Sequence, residues 1–208
     1  MAKDLPIAKL LRECGFASDA AQAAARAAIE AAGLTRPGKE RIAEAKRADV
    51  EAALRARVAL LCGACREAGL GDDRPDALAA GAGDRCGACG GSAAQRSALV
   101  FIRACRAAGI RRVVFVGGSP AIRQELPELL GDDLDVRLVD GTVARPGRDV
   151  QREIDGCDLA IVLGSTEISH TVSAAWDSPK TISTYPRGPS AFLAEAAEKV
   201  EARAGRRR

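Results

Sequence analysis

Residues 111–120, RRVVFVGGSP, decide the fold of the second half of this chain. The apolar, β-branched run that ends at Val116 predicts a buried strand. Gly117 and Gly118 predict a tight turn. Ser119 followed by Pro120 is a typical helix start, with serine as the N-cap and proline at the first helical position. A buried strand that leads through glycines into a helix is the repeating step of a parallel α/β sheet.

The same step recurs through the rest of the chain. Strands are predicted at residues 111–116, 136–139, 159–163 and 181–185, and helices at 97–108, 120–130, 148–155, 169–176 and 189–204. Apolar strands that alternate with amphipathic helices predict an α/β fold with a small four-stranded parallel Rossmann-like sheet, covered by helices on both faces. We assign residues 92–208 to this domain.

Residues 1–61 are predicted to form a helical region, which we call the helical head. Helices are predicted from the apolar spacing of Ile7, Leu10, Leu11 and Cys14 up to Gly15, from Ser18 and Asp19 to Gly33, and from Thr35 to Leu61. A helix, a short turn and a second helix are compatible with helix-turn-helix DNA binding, with Lys39, Arg41, Lys46 and Arg47 as phosphate contacts. The basic residues of the third helix do not collect opposite its apolar stripe, which favours a solvated bundle that contacts protein.

Two CGAC motifs lie between the helical head and the sheet. They supply Cys62 and Cys65, then Cys86 and Cys89, with twenty residues between the pairs. Four thiolates satisfy the tetrahedral preference of Zn²⁺, and the spacing is close to that of zinc-binding CxxC pairs. Residues 62–91 are therefore predicted to be a four-cysteine zinc knuckle loop, here called the metal loop, with no strong strand signal. Redox-active CxxC pairs and metal-free thiols are the alternatives.

Composition limits where the protein works. The chain has 208 residues, a net charge of +3 and seven cysteines, an odd number that fits a secreted disulfide framework poorly. No run is long enough to span a membrane, and the N-terminal segment lacks a signal-peptide core. We expect a cytoplasmic protein with no membrane partner, whose mild charge permits nucleic-acid binding without requiring it.

Small and anion-binding residues follow every predicted strand. These are Gly117, Gly118 and Ser119 after the first strand, Asp140 after the second, Ser165, Thr166 and His170 after the third, and Arg187 and Ser190 after the fourth. Ligands of open parallel sheets bind outside the carboxyl ends of the strands, so these residues are predicted to converge on one cleft for an anionic ligand. Replacing Gly118 by a bulky residue is expected to block the ligand and leave the fold intact.

Each of these residues also has a purely structural interpretation. The two glycines either admit a phosphate to the positive end of a helix or simply make a tight turn. Asp140 either binds a ribose hydroxyl or belongs to an Asp-Gly turn. His170, the only histidine, is either a proton-transfer group or a structural residue. Arg187 is expected to pair with an anion, and Ser190 to cap the last helix.

The motifs VVFVGGSP, LVDGT, AIVLGST, SH and YPRGPSAFL resemble an uncharacterised bacterial family of short Rossmann-like domains, here joined to a four-cysteine zinc-ribbon-like element. The resemblance covers about half of the chain and implies the fold and the position of the site. The family positions would be Gly117, Gly118, His170, Arg187 and Ser190.

Three functions are compatible with the sequence. The first is a zinc-stabilised regulatory module that binds a nucleotide or other phosphorylated molecule at the sheet and DNA, protein or a second copy of the chain through the helical head. The second is an enzyme that acts on a nucleotide or phosphoester with His170 as acid and base, although no carboxylate pair or activated nucleophile accompanies it. The third is a structural zinc adaptor that binds no small molecule.

Overall fold

The computed structural model describes residues 4–71, 73, 76–143, 145–164 and 170–206, with only the backbone of His170 and Thr171. The chain divides into two compact units, Met1–Gly91 and Ser92–Arg208. No helix within the described residues combines the length and the apolar content that a membrane crossing needs.

The first unit combines short helices with two small strand pairs. Its elements are β1 (Asp4–Pro6), α1 (Ile7–Glu13), α2 (Asp19–Ala31), β2 (Arg41–Ala43), a 3-10 turn (Glu44–Lys46), α3 (Arg47–Arg57), β3 (Leu60–Leu61), α4 (Gly63–Glu67) and β4 (Leu78–Ala79). β1 pairs with β2 in antiparallel fashion, and β3 pairs with β4 in parallel. The metal loop therefore contains a short strand that its sequence did not indicate.

The predicted helix over residues 35–61 is wrong. The chain turns at Gly38, which has a φ of 78°, and then enters β2, where Ile42 is buried. α3 covers only the middle of the predicted span, with Val50 and Leu54 buried, and the backbone is extended at Val58. The apolar stripe of the predicted helix is divided among separate elements, with Ile42 buried on β2, Val50 and Leu54 on α3 and Leu61 on β3, while Val58 is only partly buried. The helical spacing of these residues fits several short segments as well as one helix.

The second unit is an α/β domain whose elements follow the predicted order. They are α5 (Ala93–Ala107), β5 (Arg112–Val116), α6 (Pro120–Leu130), a 3-10 turn (Gly131–Asp133), β6 (Asp135–Val139), α7 (Gly147–Gly156), β7 (Leu159–Leu163), α8 (His170–Ala175), β8 (Thr181–Thr184) and α9 (Pro189–Gly205). The four strands form one sheet in the order β6-β5-β7-β8, and every pairing is parallel. The α/β class and the four-stranded parallel sheet are thus confirmed.

Two apolar cores cover the two faces of this sheet. On one face α5, α6 and α9 pack around Phe115, whose ring lies 6.2 Å from that of Phe101 and 6.4 Å from that of Phe192, centroid to centroid. On the other face α7 and α8 bury Trp176 against the valines of β5. Burial on both faces explains why the strands are continuous apolar runs rather than alternating patterns.

A carboxylate joins the starts of β5 and β7. Asp158 accepts hydrogen bonds from the backbone N–H groups of Arg111 (3.0 Å) and Arg112 (2.9 Å) and from the Arg112 guanidinium (3.0 Å). Partial burial raises the pKa of the Asp158 carboxyl, but the hydrogen bonds from Arg112 and Arg111 outweigh it and lower the pKa to about 2.

Candidate functional site

The four cysteines of the two CGAC motifs come together in the first unit. The sulfur atoms of Cys62, Cys65, Cys86 and Cys89 all lie within 4.8 Å of one another, and three of the four residues are buried. All seven cysteines lie in the described residues, and none forms a disulfide. The cluster can therefore hold a metal ion, as the two CGAC motifs predicted.

The backbone orients these sulfur atoms. The Cys62 N–H donates to the Cys86 sulfur (3.4 Å), and Cys65 N–H donates to the Cys62 carbonyl (3.1 Å) at the start of α4. The Gly87 N–H donates to the Leu60 carbonyl (2.7 Å), which ties the second motif to β3. A Cβ on Gly87 would lie 3.3 Å from that carbonyl oxygen, so glycine at this position permits a close backbone approach.

The sulfur atoms experience different electrostatic environments. Burial raises the pKa of the Cys86 thiol, but backbone N–H groups of Cys62, Cys89 and Ala88 outweigh it and lower the pKa to about 6. Burial, together with hydrogen bonding to the neighbouring sulfurs, raises the pKa of Cys65. One sulfur is thus held as a thiolate by the backbone, and a cation would favour the thiolate form of the others.

Asp84, in the metal loop, is a residue that sequence reasoning missed. Its Oδ1 accepts from the backbone N–H groups of Ala17 (2.6 Å) and Ser18 (2.9 Å), and its Oδ2 from the Ser18 hydroxyl (2.6 Å) and the Gly81 N–H (2.8 Å). Burial raises the pKa of Asp84, but the hydrogen bonds from Ser18, Gly81 and Ala17 outweigh it and lower the pKa. Because its partners are 66 and 67 residues away, no local sequence signal reveals this role.

In the second unit, the strands end level with one another. Val116 lies opposite Val139 of β6 and Val162 of β7, and Leu163 lies opposite Thr184 of β8. The residues that follow these strand ends form what we call the carboxyl edge. Ligands of parallel sheets bind at this edge.

The turn after β5 leads directly into α6. Gly117 and Gly118 have φ values of 95° and 88°, which favour glycine. The Ser119 hydroxyl accepts from the Ile122 N–H (3.4 Å) and so caps α6 as predicted. A Cβ on Gly118 would lie 3.2 Å from a Leu163 methyl carbon, so a side chain at this position would strain the backbone. The expectation that a bulky residue here blocks a ligand and leaves the fold intact stays a prediction, to which this strain adds a stability cost.

Asp140, after β6, forms the Asp-Gly turn that was one of its two interpretations. Its Oδ1 accepts from the Thr142 N–H (2.9 Å) and hydroxyl (2.7 Å), and its Oδ2 lies 3.0 Å from the Arg123 guanidinium. The hydrogen bonds from Thr142, with the nearby Arg123, lower the pKa of Asp140. Arg123 is a second missed residue. Its position four residues after the α6 N-cap was the available signal.

The other predicted residues fall into three groups. Ser165 and Thr166 lie outside the described residues, and His170 begins α8 directly after that gap, with its side chain also outside the description. Arg187 is exposed, with no side-chain partner among the described residues. The predicted Ser190 cap is wrong, because Gly188 occupies the N-cap of α9 and Ser190 contacts the Ser97 hydroxyl (3.4 Å).

Two further features lie near the carboxyl edge. Thr184, at the end of β8, is fully buried, and its hydroxyl has no hydrogen-bond partner within the described residues. A cavity of about 220 Å³ is lined mainly by apolar side chains, namely Val139, Val143, Val150, Val172 and Trp176, with Arg145 beside them. Cavities of this chemistry accept apolar rings or chains.

A charged cleft of about 340 Å³ runs along α7 and β6. On its wall, Glu153 is buried and one carboxylate oxygen meets both Arg137 (2.7 Å) and Arg145 (3.2 Å). The four arginines that line this cleft all pair with carboxylates, so we interpret it as a structural ion-pair network.

The proposed DNA contacts of the helical head are largely engaged within the chain. The guanidinium of Arg47 lies 2.8 Å from Glu13 and 3.6 Å from Glu44, while Arg41 and Lys46 donate to backbone carbonyls. Lys39 is exposed. An arginine that is already neutralised by carboxylates contributes less to phosphate binding.

No protein-family model, curated protein sequence or solved structure matches the chain. No family is therefore identified, and the resemblance to short Rossmann-like domains stays an expectation.

Proposed function

We propose that this protein is a zinc-stabilised regulatory module whose Rossmann-like domain binds a nucleotide or another phosphorylated small molecule. The observation that carries the proposal is the carboxyl edge, where four level strands lead into glycine, arginine and hydroxyl groups. Seven unbridged thiols fit a reducing compartment such as the cytoplasm.

The metal in this proposal is zinc. Four sulfur donors in a closed cluster suit Zn²⁺ as a structural ion and leave no open position for substrate. Native mass spectrometry of freshly purified protein, with elemental analysis, should find about one zinc per chain. A Cys65→Ser variant should lose most of it, whereas Cys105→Ser, which alters a buried thiol of the second unit, should keep it. Protein that holds neither zinc nor iron would contradict the metal proposal.

The ligand in this proposal is anionic. α6 presents its capped N-terminus after Gly118, and the positive end of a helix attracts phosphate. The exposed Arg187 adds positive charge after β8, and the 220 Å³ cavity offers room for an apolar ring.

The test is a thermal-shift screen of zinc-loaded protein against mononucleotides, dinucleotide cofactors, cyclic dinucleotides and inorganic phosphate. A true ligand at a hundred times its Kd adds about 2.7 kcal/mol to stability. Arg187→Gln should weaken binding without lowering the basal Tm, because this side chain has no described partner. Arg152→Gln, an equally exposed change on α7, should bind normally. The proposal fails if no compound stabilises the protein.

An enzyme that uses His170 is the second candidate. It is favoured by the position of His170 at the start of α8, the helix that follows β7 along the chain. Asp140 does not supply a free base, since both of its oxygens have partners. If a stabilising nucleotide is turned over, and a His170→Gln variant binds it without turnover, the enzyme interpretation replaces the regulatory one.

A further inference from the structure

We infer that metal occupancy of the four-cysteine cluster controls the order of the turn between α1 and α2, with Asp84 as the link. This inference rests on the metal site proposed above. The turn consists of residues 14–18, and Asp84 lies two residues before the candidate ligand Cys86.

Asp84 supplies the hydrogen bonds that the turn lacks by itself. The N–H groups of Ala17 and Ser18 precede α2 and donate to the Asp84 carboxylate. The Ser18 hydroxyl donates to the same carboxylate and accepts from the Ala21 N–H (3.3 Å). Because the donated bond orients the hydroxyl, Asp84 also supports the cap of α2.

The two segments approach each other closely. The Arg85 N–H donates to the Gly15 carbonyl (2.8 Å), and Gly15 has a φ of 95°. A Cβ on Gly15 would lie 2.6 Å from the Arg85 Cβ, and one on Gly83 would lie 3.2 Å from the Ala17 Cβ. Neither segment can move independently while these contacts persist.

The position of Asp84 depends on how residues 80–87 are held. Between β4 and Cys86 this segment has no helix or strand, and it contains Gly81 and Gly83. Apart from its contacts with the turn, the described backbone of this segment is hydrogen-bonded to β3 at its two ends. The Ala80 N–H donates to the Leu61 carbonyl (2.9 Å), and the Gly87 N–H donates to the Leu60 carbonyl (2.7 Å). Ordering such a segment is entropically costly, and a metal bond at Cys86 offsets that cost.

The consequence is that the helical head responds to metal. With the cluster occupied, Asp84 is held against the turn and α2 is capped. With the cluster empty, the segment is released, and the amides of Ala17 and Ser18 lose their acceptor. Any partner that binds the N-terminal end of α2 would then bind in a metal-dependent way.

The experiment is amide hydrogen exchange on the full chain, by NMR, with zinc-loaded and chelator-treated protein. Removing the metal should speed exchange of the Ala17 and Ser18 amides at least tenfold. The amide of Ala25, in the middle of α2, and that of Ile161, in β7, should change little. In zinc-loaded Asp84→Ala protein the same two amides should exchange faster while the metal is retained, and chelation should add little more.

Asp73→Ala is the matched control, since it makes the same change in the same loop at an exposed residue. It should leave both amides protected. Protein that binds no metal would remove the metal proposal and this inference together. If metal leaves and Ala17 and Ser18 stay protected, the inference is wrong while the metal site stands. It is also wrong if zinc-loaded Asp84→Ala keeps normal protection, or if Ala25 exchanges as fast as Ala17 after chelation.

Discussion

The carboxylate of Asp158 should make the second unit sensitive to acid. Its pKa of about 2, against an ordinary 3.8, means that the folded state favours the charged form. At 1.36 kcal/mol per pKa unit, this depression is equivalent to ~2.4 kcal/mol. The side chain is 28% exposed, and solvent screening lowers the expected contribution to about 1–2 kcal/mol. A lowered carboxyl pKa stabilises the fold above the unfolded pKa, and that stability is lost as the pH falls from about 4 towards 2.

Asp158→Asn should therefore lower the free energy of unfolding by about 1–2 kcal/mol at pH 7, and the difference from the parent should shrink as the pH falls below 4. Trp176, the single tryptophan, is buried in the second unit, so its fluorescence during urea unfolding reports on this unit. Asp132→Asn, at an exposed carboxylate with no described side-chain partner, is the control. A difference between Asp158→Asn and the parent that stays constant from pH 7 to pH 2.5 would refute the reasoning.

Three more predictions follow from single contacts. Gly118→Ala should lower the free energy of unfolding by about 1–2 kcal/mol, because the residue has a positive φ and lies near a Leu163 methyl group. Gly147→Ala, which has open space around it, should leave that free energy unchanged in the same urea assay. Equal stabilities of the two variants would contradict this prediction. Glu153→Gln should lower the free energy of unfolding by about 1–3 kcal/mol, since it leaves Arg137 and Arg145 without their shared carboxylate. A change below about 0.5 kcal/mol would show that solvent compensates for the lost ion pairs. If the helical head binds DNA, Lys39→Gln should reduce the slope of log affinity against log salt concentration by the equivalent of about one phosphate contact. Fluorescence anisotropy between about 50 and 200 mM salt measures this slope. Absence of binding to any duplex at low salt would exclude DNA as a partner.

The second unit was largely predictable because its signals are local. The apolar run 159–163 coincides with β7, and Ser119 with Pro120 marks the start of α6. Burial on both faces makes such strands continuous apolar runs, and capping residues mark helix ends within one or two positions. The two CGAC motifs likewise predicted that their four sulfur atoms lie close together, since such pairs of motifs usually share a metal ion.

The remaining features depend on contacts between distant residues. Asp84 and Ser18 meet across the first unit, and nothing in either segment alone predicts it. The third predicted helix failed because Leu54 and Leu61 have the i, i+7 spacing of one helix face, although Leu61 lies in the strand β3. Ile42, at the other end of the predicted helix, lies in the strand β2. Asp140 shows the converse case, in which the turn chemistry of the adjacent Asp-Gly pair was predictable from the local sequence.

The packing of α5 against α9 sets an order in which the chain folds during synthesis. Phe115 is enclosed by Phe101 from α5 and Phe192 from α9, so this core is incomplete until residues near 200 have left the ribosome. The first unit holds its own core within Met1–Gly91 and can fold while the sheet is still being translated. The apolar strands β5 and β7 of the nascent chain therefore lack part of their cover until α9 has been synthesised, and exposed strands are prone to aggregation during this interval.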